Sequence, residues 1–578
     1  MRWRRVSTVA QRLQPQGHYS IERLRRLKSY LDSSNRWRLL IICLLTPLPC
    51  VALATLVELV PLAPPEAGPF KNYIFWIRAW IVTGFVDYSM VMQMSQSLAR
   101  LKMKHNYIVM IALIGSIISF GIVFSVAVWV TFPVPFSMLV ASPPSVIVIL
   151  VSFGYTWGEQ WRSDAALRHD LVRHTMVFLC QVALTFIYPL YIFGFTSLSG
   201  LGQLVYVLLL PVIKSLSKNW ISYTLSGQDD IKPEVVIFNV EVFNALYVSS
   251  AVQNSSSIGT TVALMLIDVL HFWFSMRGTI GVLRKVKELK AKIPPHHPIA
   301  TESFVETALR MLTILDRAES PNVLLKQWNS KKRNSLMQSS KMLTDTSTST
   351  TILSDASYML RAPTRAEILP VIRVQSKLMR KLKRLIPQAS KVFPNYIQHH
   401  KAKMVSVCSG PRLDFKATAN CLELETIFTS EERAAFINTT SRVLYITEYL
   451  VLVEYTEAVL PMVYALYSII AFHLFHLPNS TYNQSLADLS RHEMFDNALF
   501  VLGYSMLELI SLILAMLVLK RVLGISPVHQ LGFVLETQAT MIQSKLMLWF
   551  VYVMQVPLEH VGTDFTFKFQ WAHASHKK

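Results

Sequence analysis

The stretch YIVMIALIGSIISFGIVFSVAVWV, residues 107–130, contains 24 residues and no charged side chain. About 20 mostly apolar residues in an α-helix cross the hydrocarbon core of a bilayer. Because a segment in lipid must satisfy its own backbone polar groups, this run predicts a transmembrane helix. The chain as a whole agrees, with 52% hydrophobic and 16% charged residues among 578 and a mean hydropathy of +0.36. This composition predicts a membrane protein and excludes an ordinary soluble domain.

Apolar runs of similar length recur along the chain. The clear ones are 39–60, 73–94, 107–130, 134–153, 175–195, 258–276, 458–477 and 497–519. Two weaker runs complete the first group. The run that begins at 204 turns polar at Lys214 and Lys218, and the run 235–252 contains Glu241. We therefore predict an all-α polytopic membrane bundle of about ten transmembrane helices, eight before a large hydrophilic insertion and two after it.

The hydrophilic segments divide the chain and predict its orientation. The divisions are a basic N-terminus (1–38), an eight-span region (39–276), a basic loop (277–442), the last two membrane helices (443–520) and a C-terminal segment (521–578). Ten basic residues and two acidic residues lie in 1–38, and 28 basic and 13 acidic residues lie in 277–442. Lys and Arg are retained on the cytoplasmic side. Both termini and the large loop are therefore predicted to be cytoplasmic, in the plasma membrane or an endomembrane.

Glycosylation sequons test this orientation, because they are used only on the outer or lumenal side. Ten spans place Asn254, Asn479 and Asn483 outside and Asn438 inside. The first three are candidate glycosylation sites, and their placement agrees with the charge rule.

Two stretches leave alternatives open. The 443–477 stretch is too long for one ordinary span. It is interpreted as an interfacial or bundle-packed lead-in, 443–457, to a helix with Pro461 in its first turn, or as two short spans in a hairpin. Residues 546–556 are apolar but few, which favours a core-packed or re-entrant segment over an eleventh helix.

Within the basic loop, residues 370–388 have the pattern of a basic amphipathic helix. Its candidate binding residues are Arg373, Lys377, Arg380, Lys381, Lys383 and Arg384. Such a helix binds the anionic lipids of the cytoplasmic leaflet or an acidic, calmodulin-like protein, and packing onto a small cytoplasmic domain is an equal alternative. Because the membrane explains the positive charge, no nucleic-acid partner is predicted.

Ionisable side chains inside the apolar runs are the candidate functional residues. A charge in hydrocarbon costs about 2.5–3.5 kcal/mol even on insertion scales, so such residues usually face the bundle interior or a water-filled path. The candidate intramembrane polar site contains Asp87, Glu241, Asn244, Asp268, His271 and Glu508. Asp268 and His271 are three residues apart, which would let them share a proton or a cation.

Three other expectations concern charged and reactive residues near these runs. Arg78 and Glu58 lie near span ends, where snorkelling to the interface is the default. Asp229 and Asp230 are predicted to cap the helix that starts near Pro233. The chain shows no phosphate loop, GxSxG, HExxH or CxxC motif. No catalytic residue or metal site is therefore predicted, the sequence does not indicate which cofactor the protein uses, if any, and an enzyme is disfavoured.

Two short motifs resemble a known group of proteins. PEVVIFNVEVFNALYV (233–248) and FTFKFQW (565–571) are similar to segments of a large uncharacterised family of multi-pass membrane proteins of oomycetes. The resemblance implies a eukaryotic multi-pass protein and assigns no site. A transporter or channel for a small solute or ion is the favoured function, because unlike ionisable groups fall in separate spans. A receptor or scaffold that acts through the basic loop is the alternative, and an intramembrane enzyme is the second alternative.

Overall fold

The structure is a computed structural model of the whole chain. It describes residues 17–98, 101, 103–198, 201–253, 258–295, 297–318, 427–474, 482–484, 490–523 and 526–563. The chain forms two compact units. One consists of Met1–Leu312 and Thr429–Lys578, and the other is Thr313–Phe428. Nearly all of the second unit lies outside the described residues.

The regular secondary structure of the described residues is helical, and no β-strand occurs among them. The α-helices are α1 (Ile21–Ser33), α2 (Arg36–Leu45), α3 (Leu48–Glu58), α4 (Tyr73–Ser97), α5 (His105–Trp129), α6 (Ser137–Ser163), α7 (Ala165–Ser197), α8 (Leu201–Tyr206), α9 (Leu209–Thr224), α10 (Lys232–Gln253), α11 (Ile258–Lys290), α12 (Phe304–Ala318), α13 (Ser430–Leu474), α14 (Arg491–Leu523), α15 (Pro527–Thr537) and α16 (Ala539–Gln555). The predicted all-α class is confirmed.

Eight helical segments are long and apolar enough to cross a membrane. They are Arg36–Glu58, Tyr73–Ser97, His105–Trp129, Ser137–Ser163, Ala165–Phe195, Met265–Lys290, Ser430–Phe472 and Arg491–Arg521. Each overlaps one of the eight clear runs in the sequence. Their outward faces carry exposed apolar side chains such as Ile117, Leu190 and Leu517, which only a lipid environment makes favourable over such an area. The chain is therefore an integral multi-pass membrane protein.

The two weaker runs do not form comparable spans in the described residues. The first is divided between α8 and α9, which have six and 16 residues. The second is α10, which has 22 residues and lies at the centre of the bundle. It packs against α7, α9, α13, α14 and α16, and every residue from 232 to 249 is buried. The predicted total of ten spans is thus not confirmed.

The first of the two helices predicted for 443–520 begins earlier in the chain than the sequence suggests. Helix α13 is continuous over 45 residues from Ser430, so Pro461 lies inside it and not in its first turn. The hairpin alternative is wrong, because the helix does not turn back. The residues from 443 to 458 are buried, so this lead-in is packed in the bundle and is not interfacial. Its carboxylates do not end the helix because they find partners on other helices.

Helix α16 contains the other open stretch. Its 17 residues pack against α3, α4 and α10, and most of them are buried. This burial is what the core-packed alternative predicts.

Helices extend into both ends of the predicted basic loop, 277–442. Helix α11 continues to Lys290, α12 occupies Phe304–Ala318, and α13 begins at Ser430. The stretch 319–426 lies outside the described residues. It includes the predicted amphipathic helix at 370–388 with all six of its candidate binding residues.

Candidate functional site

Two lysines and two glutamates form a buried mixed-charge centre beside the central helix. Lys214 of α9 places its Nζ 2.9 Å from a carboxylate oxygen of Glu241 on α10, and it also forms an ion pair with Glu457 of α13. Lys218, one turn after Lys214, forms a second ion pair with Glu241. Because α10 is enclosed by other helices, Glu241 is fully removed from the surface. A charge at that depth requires such partners.

A carboxylate trio extends this centre towards α14. The trio consists of Glu454, Glu457 and Glu508, and one carboxylate oxygen of each lies within 4.8 Å of the others. All three side chains are buried. Three negative charges at this spacing repel one another strongly where the dielectric constant is low. The geometry therefore suits a group that has gained protons or holds a cation.

A serine hydroxyl lies within the trio as a neutral hydrogen-bond donor. Ser511 Oγ lies 2.6 Å from Glu454 Oε2, 2.8 Å from the backbone oxygen of Glu508 and 3.4 Å from Glu508 Oε2. A hydroxyl carries one hydrogen and can donate to one acceptor at a time. Lys214 neutralises the charge of Glu457. The single hydrogen of Ser511 then leaves most of the acceptor capacity of Glu454 and Glu508 unused.

Asp268 and His271 of α11 both lie near the mixed-charge centre. The Tyr504 hydroxyl donates to Asp268 Oδ2 at 2.8 Å, and Asp268 interacts electrostatically with Lys214. His271 is exposed, yet it interacts electrostatically with Lys214, Lys218 and Glu241. Asp268 interacts with the same three residues, but no hydrogen bond or ion pair joins it to His271 in the described part of the chain. A three-residue spacing places two side chains on one side of a helix, but their directions still depend on neighbouring helices.

The other two predicted site residues make their hydrogen bonds to residues that are not part of the mixed-charge centre. Asp87 of α4 accepts a hydrogen bond from Ser145 at 3.0 Å, and the hydroxyls of Ser145 and Ser119 lie 2.6 Å apart. Asn244 accepts a hydrogen bond from the Tyr188 hydroxyl at 3.1 Å. The structure thus brings together Glu241, Asp268 and Glu508 of the six candidates, places His271 and Asn244 near them, and places Asp87 elsewhere.

Four residues of the centre are not among the sequence-predicted site residues. Local patterns place Lys214 and Lys218 at the end of a weak span, and Glu454 and Glu457 in the lead-in to a helix. The sequence does carry one sign that these four residues are functional, because their charges lie within otherwise apolar stretches. The ion pair of Lys214 with Glu457 joins residues 243 positions apart in the chain, which no local pattern reveals.

Arg78 and Glu58 do not snorkel to an interface. Arg78 is 3% exposed, and its Nη2 lies 2.5 Å from Glu58 Oε1 and 2.8 Å from Gln555 Oε1. Gln555 and Tyr467 also donate to Glu58, at 2.7 and 3.3 Å. The snorkelling prediction is therefore wrong, because two further helices, α13 and α16, supply partners that allow the pair to be buried inside the protein.

The N-terminal segment is attached to the bundle through acidic residues near the start of α10 and one glutamate of α13. Arg23 Nη2 lies 2.6 Å from Glu234 and 2.6 Å from Glu448. The backbone nitrogens of His18 and Ser20 donate to Asp229 and Asp230, at 3.2 and 2.7 Å. The two aspartates thus bind the backbone that leads into α1, which is not the capping of α10 that the sequence predicts.

One of the three predicted glycosylation sites can be placed. Asn483 is 8% exposed and pairs with Leu558 through a backbone bridge. A glycan on this side chain would require it to leave the protein interior. Asn254 and Asn479 lie outside the described residues.

Comparisons with known proteins do not assign this chain to a family. No family profile, curated protein or solved structure matches it. The arguments for function therefore rest on the geometry of the buried side chains.

Proposed function

We propose that this protein is a transporter- or channel-like membrane protein that binds a small cation, either a proton or a metal ion, at Glu454, Glu457 and Glu508. The observation that carries the proposal is the burial of these three carboxylates within 4.8 Å of one another beside one paired lysine, Lys214. A bound cation or added protons would relieve the repulsion that remains.

The wider arrangement of charge supports transport over passive anchoring. The charged groups come from five helices, α9, α10, α11, α13 and α14. Burying a charge in a bilayer is costly, and a protein that only anchors a loop has no need of it. The chain between α8 and α9 is interrupted at 207–208, and transporters often bind substrates at interrupted helices.

The orientation of the protein in the membrane and the lipids around it are inferred in this proposal from the sequence. Positive charge favours a cytoplasmic location for both termini and the basic loop, next to the anionic lipids of the plasma membrane or an endomembrane. A receptor or scaffold would instead act through the 277–442 loop. That alternative is separable by experiment, since it requires no flux.

Flux through proteoliposomes tests the proposal. Vesicles that contain the full chain and a pH- or ion-sensitive dye are given gradients of protons, Na⁺, K⁺ and Ca²⁺ in turn. We expect wild-type flux above that of protein-free vesicles for at least one ion. We expect a decrease on the order of tenfold in Glu457→Gln and Glu508→Gln, the scale of losing one charge-assisted contact.

The matched control is Glu431→Gln, an exposed glutamate on the same helix as Glu457. This change should leave flux unaltered. The proposal fails if the wild type moves none of these ions, or if folded Glu457→Gln and Glu508→Gln variants retain wild-type flux.

A further inference from the structure

A second buried polar centre lies against the opposite face of α10. Lys545 of α16 is 3% exposed, and its Nζ lies 3.1 Å from Gln93 Oε1 and 3.1 Å from Asn239 Oδ1. Gln181 Nε2 donates to Gln93 Oε1 at 3.2 Å and also to Asn239. Asn239 and Glu241 are two residues apart, hence about 200° apart around the helix. The Lys545 centre is therefore separated from the mixed-charge centre by α10 itself.

Lys545 differs from the other buried cations in what surrounds it. Arg23, Arg78 and Lys214 each pair with carboxylates. Among the described residues Lys545 has no carboxylate partner, and its contacts are two neutral amide oxygens. An ammonium taken out of water without an opposite charge costs several kcal/mol. The positive charge of this centre is thus uncompensated by the described part of the protein.

Three further polar atoms around Lys545 are buried without a hydrogen-bond partner in the described part of the chain. They are Gln93 Nε2, Gln181 Oε1 and His174 Nε2. Gln93 Nε2 belongs to the amide group whose oxygen contacts Lys545. His174 is 3% exposed and interacts electrostatically with Lys545. Buried polar atoms in native proteins are nearly always bonded, so an unsatisfied group at a charged centre indicates a missing partner.

We propose that Lys545, Gln93 and His174 form a binding site for a small monovalent anion, a halide or a short carboxylate. The anion would supply the opposite charge that Lys545 lacks. It would accept hydrogen bonds from Gln93 Nε2 and from His174 Nε2, in the ring tautomer that carries its hydrogen on Nε2. Gln181 Oε1, which only accepts, then bonds a hydroxyl or water that accompanies the anion. The site is independent of the proposed cation site, with which it shares no side chain.

Anion-dependent stability of the full chain tests the inference. The purified protein is unfolded by heat in detergent, in gluconate buffer of fixed ionic strength, while chloride or acetate replaces gluconate stepwise. A ligand that binds only the folded state raises the unfolding temperature in a saturable way. We expect this for the wild type with chloride, acetate or both. A response to chloride alone identifies a halide site, and a response to acetate identifies a carboxylate site.

Two variants assign the response to this centre. Lys545→Met removes the charge at similar volume, and we expect the apparent anion affinity to fall on the order of tenfold or more, as charge-assisted bonds are lost. Gln93→Leu keeps the charge of Lys545 but removes the Nε2 donor together with the Oε1 atom that contacts Lys545. The loss of the donor should also weaken anion binding. Lys520→Met changes an exposed lysine on α14 and should behave like the wild type. Glu457→Gln should keep the anion response, whatever its effect on cation flux.

The inference is overturned if the wild type shows no saturable response to either anion, because Lys545 is then neutral or otherwise satisfied. It is also overturned if Lys545→Met responds as the wild type does. If Lys545→Met does not fold, retention of radiolabelled chloride by the wild type, compared with Gln93→Leu, decides between these results.

Discussion

Replacing Lys214 with methionine tests the electrostatic basis of the mixed-charge centre. Lys214 contacts both Glu241 and Glu457, but Lys218 also pairs with Glu241. The substitution therefore leaves one carboxylate, Glu457, without its cation. Removing one partner of a buried ion pair costs about 3–5 kcal/mol. We expect Lys214→Met to lower the free energy of unfolding by about 3 kcal/mol, since one of the two carboxylates remains neutralised.

A double mutant isolates the cause of this loss. In Lys214→Met/Glu457→Gln the stranded charge is gone, and neutral replacement of a buried pair is often without net cost. We expect the second change to recover at least about 2 kcal/mol of the loss, which a double-mutant cycle measures directly. The assay is equilibrium unfolding in mixed micelles followed by circular dichroism, with Lys520→Met as the exposed control.

Two results would contradict this electrostatic explanation. One is a loss below about 1 kcal/mol in Lys214→Met, the range of an exposed ion pair. The other is a double mutant no more stable than the single one, which would mean that Glu457 does not depend on Lys214 for its charge. If the trio binds a cation as proposed, raising that cation's concentration should restore the stability of Lys214→Met by mass action.

Two further predictions concern other ion pairs. Arg78→Met should destabilise the protein by about 3–5 kcal/mol, because the buried Glu58 carboxylate loses its cation. Adding Glu58→Gln should recover most of this loss. Equal stability of the single and double variants would contradict this explanation. The hydrogen bond from Lys28 holds the pKa of Glu306 below its usual value, so the stability from this pair is present near neutral pH and is lost as the pH falls through the lowered pKa. Unfolding midpoints between pH 7 and pH 3 should therefore show Glu306→Gln less stable than the wild type only at the upper end, by under about 1 kcal/mol because the pair is partly exposed. Glu431→Gln is the control, and a difference that persists at pH 3 would count against the pairing.

The two polar centres give the central helix its unusual composition. On one side of α10, Glu241 faces two lysines, and on the other Asn239 faces Lys545. A helix that is buried on all sides would ordinarily be apolar. Its polar residues persist because partners from α7, α9 and α16 satisfy them, which is the pattern expected where a bundle interior has a function.

The membrane class and the eight clear spans can be read from the amino-acid sequence alone. The reason is that the bilayer imposes a length of apolar chain that is visible in any local window, such as 107–130. The sequence also indicates Asp87, Glu241 and Glu508 as buried ionisable groups, because a charge inside an apolar run must find a place in the bundle interior.

Which charges meet depends on the tertiary structure. The run 235–252 is the central helix and 443–457 is a buried part of α13, because charged partners hundreds of residues away allow these polar segments to be enclosed. Arg78 is buried for the same reason, because Glu58, Gln555 and Tyr467 come together around it from other helices. Local patterns record the apolar length of each helix, whereas the pairing of charges depends on how separate helices rotate and pack.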